Sequence, residues 1–219
     1  MTPRIVVSMA RRLLDSSTPS TDRMADRTPD AELLANARAG DDRAFASLVD
    51  RYEGAVAATA IGMLGAGDDA DDVGQETFIR FHASLDRFRG DASLKTYLVH
   101  IAMNLSLNAL RSRRRSVLRF VSRDKTPIDS AEPRVGPDGN VDADELRRFV
   151  RRAVSELNEK HRAVVVLRMF DDCSTRDAAK ILGVPEGTVL SRLSRAMKEL
   201  EARLAPYVHS GAALPETIR

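Results

Sequence analysis

Tryptophan is absent from this 219-residue chain, and tyrosine occurs three times. Any core must therefore rest on leucine, valine and alanine, with seven phenylalanines as the main rings. A single cysteine, Cys173, excludes an intrachain disulfide framework and fits a reducing compartment, so a cytoplasmic protein is expected. The four histidines (His82, His100, His161, His209) lack ligand spacing, and neither a metal site nor a cofactor is expected. No apolar run approaches the roughly 20 residues a bilayer span needs. Arginines break the opening "MTPRIVVSMARRLLDSS" too early for a signal peptide, so membrane insertion is not expected. Strand alternation and internal repeats are missing. So are a nucleophile–base pair and a phosphate loop, which leaves an enzyme as the least supported class.

What the chain does have is helical periodicity and segregated charge. Apolar residues make up 43%, enough for sizeable cores, while 34 basic against 32 acidic side chains leave a net charge of only +2. That sum hides local fields, which are what partners feel. Residues 1–29 read as a disordered N-terminal extension, because 15–29 are polar and carry two prolines. Met24, just before the first ordered pattern, is a candidate alternative start. From Asp30 the apolar positions recur at three and four: Leu33, Leu34 and Ala37, then Phe45, Leu48, Val49 and Tyr52. "GAGDDADD" (65–72) turns into an acidic helix start, "RFRGDAS" (87–93) is a loop, and Leu94–Leu110 is a third long helix. Residues 116–141 hold three prolines and two glycines among many charges, the composition of a flexible linker. Helices resume over 142–204 with Leu146, Phe149, Val150, Ala153 and Leu157 in one stripe; "EKHRAVVVLRMF" is a second helix, and 205–219 is a frayed tail after Pro206. The expectation is an all-α protein of two small helical domains, 30–115 and 142–204.

"DAAKILGVPEGTVLSRLSRAMKEL" (177–200) carries the sharpest local pattern. Ala178, Ile181 and Leu182 face inward, Gly183 supplies a left-handed helix end, and Pro185 suits the next helix start. Ala179 is small where two helices must approach. Val189, Leu193, Ala196 and Leu200 line one face, and Glu186, Thr188, Ser191, Arg192, Arg195 and Lys198 the other. This is the layout of a helix-turn-helix, whose second helix enters the major groove. Thr188 suits phosphate, and Ser191, Arg192 and Arg195 suit base edges. An ordinary helical hairpin with a solvated face has the same local pattern, so this stretch alone leaves both readings open.

Along 94–111, Tyr97, His100, Asn104, Asn108 and Arg111 fall in one narrow stripe at 3.6 residues per turn. A ring, carboxamides and a guanidinium suit a single nucleic-acid strand: rings stack, amides bond base edges, arginine holds phosphate. The helix runs into "RSRRRS", and Arg87–Lys125 holds ten basic and two acidic residues, a local +8 that includes Arg119, Arg123 and Lys125. A core helix followed by a solvated basic run is the competing account. The acidic start "DDADDVGQETFIR" (68–80) is open to helix-dipole capping or to docking a protein partner, while calcium lacks the required spacing.

These motifs together resemble a known family. "DADDVGQETFIRFHASLDRFRGDASLKTYLVHIAMNLSLNALRSRRR" resembles region two of bacterial sigma factors of the extracytoplasmic-function (ECF) type, and "ELNEKHRAVVVLRMFDDCSTRDAAKILGVPEGTVLSRLSRAMKEL" resembles their region four. The resemblance implies a transcription initiation factor that binds core RNA polymerase and promoter DNA, both duplex and single-stranded, and is held by an anti-sigma factor. It places polymerase docking on Asp71, Asp72, Gln75, Glu76, Phe78 and Arg80. It places the unpaired downstream element, with one base flipped out, on Lys95, Thr96, Tyr97, Asn104, Asn108, Arg111, Arg114 and Arg115, with Arg113 as a further phosphate contact. The upstream duplex falls to Glu186, Thr188, Ser191, Arg192, Arg195 and Lys198. The family usually has tryptophan near positions 82 and 97, where this chain has His82 and Tyr97, and a branched residue where this chain has Gly74. A stand-alone helix-turn-helix regulator, with 30–115 as a sensing or dimerising module, is the second reading, and a helical adaptor with basic surfaces the third. For Cys173, redox sensing competes with a plain apolar filler.

Overall fold

A computed structural model describes residues 28–121 and 149–209. The expectations for residues 1–27, including Met24, for 122–148, including Arg123, Lys125 and Leu146, and for the tail past 209 lie outside the described residues, as does the side chain of Arg119.

The described chain is all helix and turn. Helix α1 (Asp30–Arg38) begins with Asp30 and Glu32 and ends on Arg38, the charge order its dipole favours. Arg38 donates through Nε to the Leu85 carbonyl at 3.0 Å. Asp30 takes Arg51 Nη1 at 2.6 Å and the Tyr52 hydroxyl, which together with Leu33 and Leu34 pins α1 onto α2 (Asp42–Leu64). Asp41 caps α2 by accepting from the Arg43 and Ala44 amides at 2.9 and 3.3 Å. Gly65 and Gly67, at φ 83° and 139°, turn the chain into α3 (Asp68–Ala83). A short 3₁₀ turn (Leu85–Arg87) leads to α4 (Leu94–Val121). Leu48, Val56, Ala60, Phe81, Leu98 and Ala102 form the core of these helices. The buried hydroxyls of Thr77 and Ser106 are satisfied by the carbonyls four residues back, at 2.7 and 2.8 Å.

Helix α5 covers 149–155. Asn158 caps α6 (Glu159–Val165), which passes into a π turn over Val166–Phe170. Ser174 caps α7 (Thr175–Leu182), Gly183 closes it at φ 62°, and α8 (Glu186–His209) follows. Val150, Val154, Leu157, Val165, Ala196, Leu200 and Leu204 make the core here.

Three element boundaries differ from the sequence expectation. The third long helix does not stop at Leu110 but continues to Val121, so the arginine run is helical. It is steadied by ion pairs that periodicity cannot see: Arg113 with Asp69, and Arg114 Nη1 with Glu159 Oε2 at 3.4 Å. "EKHRAVVVLRMF" is not one α-helix, because the π turn re-aims its end. Pro206 sits inside the last turn of α8 rather than ending it; it removes one backbone bond, and 207–209 stay helical.

A further buried cluster joins the two halves: Met63, Val99 and Met103 pack with Val164, Val166, Leu167, Ala178, Ile181 and Val189.

Candidate nucleic-acid interface

The polar stripe on α4 divides by depth. Ser93 starts the helix by accepting from the Thr96 amide at 3.1 Å, and its hydroxyl is 2.8 Å from that of Thr96. Lys95, Thr96 and Tyr97 are half-buried. Tyr97 is turned into the core: its ring lies 4.9 Å from Phe88 and 6.3 Å from Phe81, and its hydroxyl is 3.0 Å from Ser84 Oγ. His100 is half-buried and its pKa is lowered by desolvation, so it favours the neutral form. Asn104 and Asn108 are exposed. Asn108 Oδ1 accepts from Arg111 Nη1 at 3.2 Å. Asn108, Arg111, Arg114 and Arg115 line one open cleft of about 500 Å³. Arg113 does not join it, because its guanidinium is turned back onto Asp69. The cleft is uniformly cationic with one carboxamide, a lining suited to a phosphate backbone with a base edge beside it.

Helix α3 buries Val73, Thr77 and Phe81 and turns Asp71, Asp72, Gln75, Ile79 and Arg80 to solvent. Arg80 Nε pairs with Glu76 Oε1 at 2.7 Å. Phe78 is partly buried against the core, so little of its ring is free for a partner. Ile79, 62% exposed, is the apolar residue this face does offer, and it was missed from sequence. The signal was there: Ile79 is out of phase with Val73, Thr77 and Phe81. A Cβ at Gly74 would meet nothing within 4 Å, so nothing inside the described chain requires glycine. Gly74→Ala is expected to add about 1 kcal/mol of stability, read as a higher thermal midpoint. An unchanged or lower midpoint would contradict the open environment.

The second helix of the C-terminal pair is set by its turn. The Val184 amide donates to the Ala179 carbonyl at 3.0 Å, and the Pro185 carbonyl accepts from Thr188 at 2.9 Å. Val189 and Ala196 are fully buried, which forces the opposite face outward. Glu186, Ser191, Arg195 and Lys198 are exposed, Thr188 and Arg192 half-buried. The Ser191 hydroxyl donates to the Thr188 carbonyl at 3.1 Å. Leu190, 54% exposed, stands among these polar residues and was also missed, although it too is out of phase with the buried stripe.

Cys173 is buried, and burial first, then Asp171, pushes its thiol up to about 12. It packs in one buried cluster with Ala178, Ile181 and Val189. Among the described residues no group of three or more His, Cys, Asp or Glu side chains could hold a metal ion, and no helix is long and apolar enough to cross a membrane.

Two family models match the chain: Sigma-70 region 2 over residues 48–116 and Sigma-70, region 4 over residues 148–200. The ECF RNA polymerase sigma-E factor of Escherichia coli (strain K12) is 33% identical over 193 residues, covering 84% of this chain and 99% of that protein. The sigma-E factor of Haemophilus influenzae is 32% identical over 193 residues, covering 84% and 100%. Among solved structures, the sigma factor RpoE in complex with the anti-sigma factor NepR from Bartonella quintana is similar, with a TM-score of 0.63 and 28% identity over 74% of this chain and 96% of that one. CnrH in complex with the cytosolic domain of CnrY gives a TM-score of 0.58 and 28% identity over 81% and 97%.

Proposed function

The chain belongs to the ECF sigma factors of RNA polymerase, and on that premise we propose how its faces divide the work. It is a transcription initiation factor rather than a stand-alone helix-turn-helix regulator. Core RNA polymerase docks on the outer face of α3, where Asp71, Asp72, Gln75 and Glu76 supply charge and hydrogen bonds and Ile79 the apolar contact. Promoter duplex lies along α8: Arg192 and Arg195 reach base edges, Lys198 and Thr188 reach phosphates, and Leu190 meets an apolar group such as a thymine methyl.

The unpaired strand lies along α4. Asn104 and Asn108 read base edges, Arg111, Arg114 and Arg115 hold phosphates, and Tyr97 contributes an edge rather than a free stacking face. The role asks for no catalytic group. Strand binding favours the opened promoter because the cleft has differential affinity for it, and a ligand shifts an equilibrium only by that difference. The single observation carrying this reading is the cleft of Asn108, Arg111, Arg114 and Arg115 in helical phase with Asn104. Both solved relatives are bound by partner proteins, and an anti-sigma factor competing for these faces is part of the proposal.

Run-off transcription with core polymerase, with and without the chain, tests the whole; no chain-dependent transcript from any selected promoter would end it. Two variants test the parts. Asn104→Ala is expected to lower open-complex formation, read by permanganate footprinting, while binding to the upstream duplex is kept; equal opening would remove the strand-reading role. Arg195→Ala is expected to cost about 1–3 kcal/mol of upstream discrimination in a selection experiment. Unchanged upstream preference would remove Arg195 from the recognition set.

A further inference from the structure

Arg38 belongs to none of the faces above, yet its side chain reaches the loop that leads into α4. It is the last residue of α1, and the turn behind it fixes its backbone. The Gly40 amide donates to the Ala37 carbonyl at 3.1 Å and the Asp41 amide to the Asn36 carbonyl at 3.0 Å, with Gly40 at φ 91°. This is the glycine-closed helix end, in which two amides beyond the helix satisfy its last carbonyls. At the start of α1, Asp30 is tied to Arg51 and Tyr52, and Leu33 and Leu34 are buried between the two ends. Helix α1 is thus a strap fastened along its length, with Arg38 at its tip.

The Arg38 guanidinium serves two carbonyls, that of Leu85 through Nε at 3.0 Å and that of Phe88 through Nη2. A planar fork holds two acceptors at once, where an ammonium acts as a point charge. These carbonyls flank the 3₁₀ turn, beyond which the chain enters Arg89–Ala92. All four loop residues are exposed, and among the described residues no backbone hydrogen bond runs to any of them. The shape of such a loop is set at its ends. One end is Ser93, whose hydroxyl accepts from the Thr96 amide at 3.1 Å. The other is Phe88, whose carbonyl is held by Arg38 and whose ring lies 4.9 Å from Tyr97. Tyr97 in turn meets Ser84, on the other side of the 3₁₀ turn. Free backbone amides and carbonyls next to Lys95, Thr96 and Tyr97 suit the edge of an unstacked base.

We propose that Arg38 is a positioning residue for the unpaired promoter strand. It touches no DNA; by fixing Leu85 and Phe88 it sets the shape in which the Arg89–Ala92 loop presents its free backbone groups to a base. The duty of the loop rests on the sigma-factor reading, whereas the hold of Arg38 on the loop does not. A loop released at one end would have to be ordered during binding, which lowers affinity and blurs the choice of base.

The test uses the full chain with Arg38→Ala and, beside it, Arg38→Lys. Fluorescence anisotropy follows binding to single-stranded oligonucleotides from a promoter selected with the parent, one base changed at a time. With alanine, discrimination at one or two bases is expected to fall about fivefold, the worth of one hydrogen bond, while the dependence of log K on log salt keeps its slope. Lysine retains the charge without the fork and should recover only part of the loss. A slope shallower by about 0.7 would make Arg38 itself a phosphate contact and overturn the proposal. So would unaltered discrimination with alanine, or full recovery with lysine. An equal loss of upstream-duplex binding together with a lower thermal midpoint would show general destabilisation, which also overturns it. Trypsin reads the loop without DNA: cleavage after Arg89, followed by mass spectrometry, should be several-fold faster in the alanine variant, because a loosened segment opens more often. An equal rate overturns the hold. If the parent binds no single strand at all, the sigma-factor reading fails instead, and the cleavage rates still judge what Arg38 does to the loop.

Discussion

Alanine at Arg111, Arg114 and Arg115 together is expected to abolish binding of the unpaired promoter strand at physiological salt. The three guanidinium groups line one cleft with Asn108 and are exposed, so their removal leaves the core untouched. For single strands each phosphate contact adds about 0.7 to the dependence of log K on log salt, so the triple variant should show a slope shallower by about 2. Fluorescence anisotropy across a salt series measures it, and the same titration with upstream duplex should be little altered. Arg114 also pairs with Glu159, but with 69% of its side chain exposed that pair contributes little to stability. An unchanged slope for the single strand would show that the cleft does not hold phosphates, and would leave α4 as a helix with a merely solvated basic end.

The second large effect is on stability and pH. Asp171 is 3% exposed, and its Oδ1 has no hydrogen-bond partner. Burial pushes its pKa from 3.8 up to about 7; Asp172 adds to the rise, while the Thr59 hydrogen bond and Lys95 oppose it. Between those two values the folded protein keeps a proton that the unfolded chain releases. The contribution is therefore fully present below pH 3.8 and is lost as pH rises through about 7. At about 1.4 kcal/mol per pH unit the ceiling is ~4 kcal/mol. Compared with Asp171→Asn, the parent should lose thermal midpoint as pH is raised from 5.5 to 8, and the variant should be the more stable at the upper end; His100, whose lowered pKa favours folding as pH rises, acts on both proteins alike. A gap between parent and variant that does not change with pH would mean that burial does not hold the Asp171 proton.

Much of the site was legible because it depends on local phase. The burial of Val189, Ala196 and Leu200 follows from their spacing alone, and with it the exposure of Arg195 and Lys198. Gly183 adopts the left-handed turn its position required. Asn104 and Asn108 are exposed on α4 because the same helix buries Leu98, Ala102 and Met103. Tyr97 and Phe78 were not legible. An aromatic at a stripe's edge has the same spacing whether it faces solvent or fills a gap, and here the 4.9 Å contact with Phe88 decides for Tyr97.

By itself the sequence determined that the described residues are helical, where most of their helices begin, and which face of each is polar, because caps, glycines and a 3.6-residue period act within one helix. Only the tertiary structure decided which apolar faces meet. Thr59, Gly62 and Asp171 have no hydrophobic signature, yet a buried hydrogen bond and a missing Cβ make them the join between two halves distant in sequence. Periodicity reports the direction a side chain leaves its own helix; the partner it finds there is set by shape and charge across the contact.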